Sequence, residues 1–165
     1  MTESLPQLIT ALREELKHYG EMLALLDQQQ ESAMARLTEE LLRSVTMIQA
    51  QAEAIQAARR HREAAQRAVA RELAVAEAST FAEILPLLPA DYRPLVQHLV
   101  EENNDLLQTV RQRARQNHLL LSRSVELMQR FLSALFPMHD PQVYTGRGTR
   151  PASPLAARPL YEAVG

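Results

Sequence analysis

The chain has 165 residues, is 46% hydrophobic but only 4% aromatic, contains no Cys or Trp, and carries a formal net charge of −2. That length bounds it to one domain with at most an appendage. The absence of Cys excludes disulfides, thiolate metal sites and cysteine nucleophiles, and the near-neutral charge gives no electrostatic ground for a nucleic-acid or membrane partner.

The dominant residues are Leu, Ala, Glu, Gln and Arg, all good helix formers, while the β-branched and aromatic residues that strands favour are few. An all-α fold follows. The opening stretch, MTESLPQLITALREELKHYG, lacks a basic start followed by an apolar core, so no signal peptide is expected. No run approaches about 20 apolar residues, so no transmembrane helix and no membrane insertion are expected, and a cytoplasmic protein is the default.

In chain order, Ser4 with Gln7 fits a capping box, and Pro6 stands in the first turn, where its missing N–H costs little. A stripe at alternating steps of four and three then runs through Leu5, Ile9, Leu12, Leu16, Tyr19, Leu23 and Leu26, the pattern of a coiled-coil seam. Gln28, Gln29 and Gln30 read as a weak or bent point. Leu37, Leu41 and Val45 shift the seam as a stutter does, and Ile48, Ala52 and Ile55 resume it. The expectation is one long helix over about 5–76, with a bend near 28–40.

The run Arg59, Arg60, His61, Arg62, Arg67 and Arg71 covers several helix faces and reads foremost as a solvated surface. Docking to an acidic partner ranks next, and nucleic acid last, because base-stacking aromatics are missing around it.

Thr80 with Glu83 is a second capping-box candidate and opens a short corner helix over about 80–88, limited by Pro86 and Pro89. A second long helix spans about 92–136. Its stripe is Leu95, Val96, Leu99, Asn103, Leu106, Val110, Arg113, Asn117, Leu120, Leu121, Ser124, Leu127, Met128, Phe131 and Leu135. The polar members Asn103, Arg113, Asn117 and Ser124 have two readings. They set register at some cost in stability, or they mark an incomplete seam that awaits another helix. Residues 137–165 hold five of the nine prolines and three of the four glycines, and they read as a disordered tail after a helical domain over 1–136.

Two long helices joined by a short corner should pair antiparallel. By length, the second would reach back to about residue 30 and leave the seam from Leu5 to Leu26 without a partner. The first helix folds back, the chain forms a homodimer, or a partner helix lies there. No two of the five histidines stand three or four apart, and no P-loop, GxSxG or HExxH motif occurs, so no enzyme, metal or cofactor is expected.

The stretch RQNHLLLSRSVELMQRFLSALF, then proline, then VYTGRG, resembles the FlgN-type flagellar export chaperones. Asn117, Leu120, Leu121 and Ser124 match that family's C-terminal helix pattern, and Tyr144 with Gly148 matches its tail. Thr145 stands where the family usually has glycine directly after the tyrosine. The resemblance implies a cytoplasmic chaperone, transiently at the export apparatus. It would bind the terminal helices of hook-associated (hook–filament junction) proteins, prevent premature assembly, and deliver them to the flagellar type III export gate and ATPase complex. It assigns guest binding to Asn117, Leu120, Leu121, Ser124, Val125, Met128 and Leu132, and gate docking to Tyr144 and Gly148. The alternative is a dimeric coiled-coil adaptor without an export role.

Overall fold

The computed structural model describes residues 3–135, and every regular element among them is helical. Helix α1 spans Ser4–Met34 and α2 spans Thr38–Glu72. Helix α3 is the single turn Phe81–Ile84, extended by a 3-10 turn at Leu85–Leu87, and α4 spans Arg93–Leu135. The all-α reading holds, and so does the corner between the long helices.

The first long segment is two helices, not one. Its break, at 35–37, falls inside the range where a bend was expected. Helix α1 runs unbroken through Gln28–Gln30, so the glutamines are not its weak point. The helix stops at Arg36, whose φ of 57° is left-handed. The Arg36 N–H then donates to Ala33 O at 3.3 Å and the Leu37 N–H to Ser32 O at 2.9 Å. These two bonds form a Schellman cap, which satisfies carbonyls the helix end would otherwise leave bare. Glu39 and Glu40 occupy the first turn of α2, where negative charge favours the positive end of the helix dipole.

Beyond the turn the chain doubles back. Gln29 reaches Ser44, Gln51 donates to His18 O at 2.9 Å, and Arg62 meets Glu15, so α1 and α2 form an antiparallel hairpin. Helix α2 ends on the same device. Ala74 has φ 55°, with Ala74 N–H donating to Arg71 O and Val75 N–H to Ala70 O. The Thr80–Glu83 capping box forms as expected, with the Thr80 N–H 2.7 Å from Glu83 Oε2. The Ser4–Gln7 box does not. Glu3 is the N-cap of α1, without a side-chain bond, and Ser4 is already helical and buried.

The pairing of α4 departs from the expected one. Asn103 Nδ2 donates to Leu12 O at 3.0 Å and Asn117 Nδ2 to Leu26 O at 2.7 Å. Both numbers rise together, so α4 runs parallel to α1. The break at 35–37 is the cause: the hairpin reverses the chain once and the corner reverses it again. Helix α1 therefore lies between α2 and α4 and makes the main contacts with each. Leu5, Leu8, Leu12, Tyr19, Met22 and Leu26 are all buried, so the seam that length alone left bare is filled from within the chain. Phe81, Ile84 and Leu88 are buried at the corner and join the same core.

Candidate partner-binding surface

Helix α4 is held to α1 at fixed intervals. Asn103 and Asn117 are two heptads apart, as are the carbonyls of Leu12 and Leu26 that they bind. A buried amide N–H needs an acceptor, and backbone carbonyls offer one in any register, so it is the side-chain partners of this segment that single out the one observed. Asn117 Nδ2 also donates to Gln29 Oε1 at 3.1 Å, and Gln29 Nε2 donates to Ser44 Oγ at 3.2 Å. One buried polar chain thus ties α4, α1 and α2 together. Close by, Arg113 Nη1 donates to Gln30 Oε1 at 2.5 Å, and its Nε lies 3.2 Å from Asp27 Oδ1. Three of the four polar seam residues are therefore spent on register. The glutamine stretch works as a latch.

Past this latch α4 outlives its partner. The same offset of 91 residues places Met34, the last residue of α1, level with Val125. About ten further residues of α4, roughly 15 Å at 1.5 Å per residue, extend beyond it. The last buried residue of α4 is Asn117, yet the apolar stripe goes on. Val125 is 56% exposed, Met128 59%, Phe131 58% and Leu132 48%. At the adjoining α1–α2 turn, Met34 and Leu37 are exposed as well, and so is Leu42 at the start of α2. Scattered apolar exposure is ordinary, but a continuous stripe at one end of a bundle marks a surface for another chain.

The residues singled out from the sequence divide accordingly. Asn117 is turned inward and bound to α1. Leu120 and Leu121 are half-buried, and Ser124 Oγ donates back to Leu120 O at 2.9 Å. Val125, Met128 and Leu132 are open. Leu127 and Phe131, members of the stripe outside the guest set that the resemblance implies, are exposed on that face too. Tyr144 and Gly148 lie outside the described residues, as does the whole expected tail over 137–165.

The arginine run is not one surface. Arg62 is buried, its Nε donating to Glu15 Oε2 at 3.0 Å and its Nη1 to Gln66 Oε1 at 2.8 Å. Its guanidinium stands 5.8 Å from the centre of the Phe81 ring. Tyr19 donates to Glu15 Oε1 at 2.7 Å. Burial first, and the Glu15 charge second, push the Tyr19 hydroxyl pKa well above its ordinary range. Gln66 Nε2 donates to Ser79 O at 2.9 Å and so ties this cluster to the corner. An open groove of about 240 Å³ lies above it, lined by Arg59, Arg67 and Glu77 among others. Among the described residues no group of three His, Asp or Glu is placed to hold a metal, and no helix is long and apolar enough to cross a membrane.

The model of the FlgN protein family matches residues 1–152. No curated protein and no solved structure gives a match.

Proposed function

The chain belongs to the FlgN family, the flagellar export chaperones, and from that premise we propose that its guests are hook-associated proteins held on the exposed end of α4. The observation that carries this reading is the apolar stripe that continues past Asn117 after α1 has ended. Such a stripe suits helix-in-groove recognition, in which an amphipathic guest helix supplies the missing neighbour. Leu120, Leu121, Ser124, Val125, Met128 and Leu132 make the guest contact, and Phe131 joins them. Asn117 contributes indirectly, by fixing the angle at which α4 leaves the bundle. The protein acts in the cytoplasm and hands its guest to the export gate through Tyr144, with Gly148 giving the chain freedom to turn where it docks.

The dimeric-adaptor reading loses its motive, because the seam from Leu5 to Leu26 is covered by the chain's own α2 and α4.

Isothermal titration with a hook-junction protein tests the proposal. Met128→Glu with Leu132→Glu should abolish binding and leave helicity unchanged, since both side chains are exposed. Tyr144→Ala should leave the same titration intact and reduce guest export in cells. No binding by the unaltered chain at tens of micromolar sinks the chaperone assignment. Loss of guest binding in Tyr144→Ala sinks the division of labour.

A further inference from the structure

The face that α4 presents beyond Asn117 has more structure than apolarity alone. Leu121, Ser124, Met128, Phe131 and Leu135 continue the spacing with which Asn103, Val110 and Asn117 face α1. Leu120 and Leu127 widen the face on one flank, and Val125 and Leu132 on the other, as helical geometry of about 100° per residue requires.

The rim of this face is basic. Arg123 and Arg130, one heptad apart, border the flank of Leu120 and Leu127, and His118 borders the other. All three are exposed, and neither arginine makes an ion pair among the described residues. The one acid between 118 and 135, Glu126, projects from the opposite side of the helix. Two occupants from within are disfavoured by this charge. A second copy would bring the same basic rim against itself. The chain's own residues 136–165 carry Arg147, Arg150 and Arg158 against Asp140 and Glu162, so they offer no acidic flank to this rim.

We propose that the occupant is an amphipathic helix of a partner protein, about three turns long and acidic along its flanks, lying in the line that α1 vacates beyond Met34. This rests on the chaperone reading above and specifies the chemistry of the guest segment. The interface is continuous with the α1–α4 contact, so the guest helix takes over the stripe where α1 leaves it. Rim charges of this kind select among partners more than they add affinity.

Two synthetic helical peptides with the same leucine face, one flanked by Glu and the other by Lys, test this by fluorescence anisotropy on the full chain. At low salt the Glu-flanked peptide should bind about tenfold more tightly, and the gap should close as salt is raised. Arg123→Glu with Arg130→Glu should reverse the preference without changing helicity. Equal binding of the two peptides, or a preference that ignores those substitutions, overturns the proposal. If a hook-junction protein is captured without peptide discrimination, only this inference fails; if discrimination holds and no junction protein binds, the chaperone reading fails instead. Two further outcomes also overturn it. A free-chain dimer abolished by Met128→Glu and Leu132→Glu gives the face to a second copy. Tighter peptide binding by full-length Leu160→Glu/Tyr161→Glu gives it to the chain's own C-terminal segment.

Discussion

Glu15 and Arg62 form an ion pair with both side chains almost wholly removed from water. Desolvating two charges costs several kcal/mol each, and their attraction offsets this only when the remaining donors and acceptors are also matched. Here they are: Tyr19 serves the second carboxylate oxygen, and Gln66 takes a second guanidinium N–H. The cluster therefore specifies how α2 sits on α1 more than it adds stability. Removing one partner strands the other. Arg62→Met should destabilise the chain by about 3 kcal/mol or more, and Glu15→Leu added to it should restore most of the loss. Urea unfolding of the two variants measures this. If the double variant is as unstable as the single one, the pair is not the unit described. In the sequence Arg62 stands within a run that reads as solvated, and periodicity carries no sign of its burial. The burial of an arginine depends on a glutamate 47 positions away.

At the scale of elements, the stops of α1 and α2 explain what the sequence hid. Schellman caps are usually announced by glycine, which accepts left-handed backbone freely. This chain uses Arg36 and Ala74 instead, at a cost of about 1 kcal/mol or more each. With no glycine to mark them, the stop at Arg36 left only a shift in the apolar stripe at Leu37, Leu41 and Val45. Ala74→Gly should relieve the strain and stabilise the chain by about 0.5–1 kcal/mol, read as a raised thermal midpoint. A lowered midpoint would mean that the left-handed backbone at Ala74 is not the stop. A local signal sufficed at one of the two capping boxes and failed at the other, where Ser4 is already helical and buried. Thr80 and Glu83 are three residues apart and their capping box formed. Asn103 and Asn117 were visible as polar seam positions, but their partners were not, because α1 carbonyls carry no side-chain signature.

At the scale of the whole molecule, the order of turns decides which apolar stripe stays open. One reversal at 35–37 and another at the corner bring α4 alongside α1 in the same direction, and α1 is the shorter helix. The core is thereby complete through Asn117 and incomplete beyond it. Length alone leaves Leu5–Leu26 bare unless the first helix folds back; it does fold back, so Leu5–Leu26 is filled, and Val125–Leu135 is open. Met128 already stands in the apolar stripe, while Val125 and Leu132 enter the candidate guest set only because the resemblance places guest binding on the C-terminal helix.

Hydrogen exchange of the full chain, free and with a hook-junction protein bound, tests this most directly. The guest should protect amides over 118–135 strongly and those of the α1–α2 turn weakly, and leave residues 5–30 unchanged. Protection or deprotection concentrated in 5–30, with 118–135 unaffected, would contradict the account, since it would mean that the guest displaces or covers the internal seam rather than the end of α4.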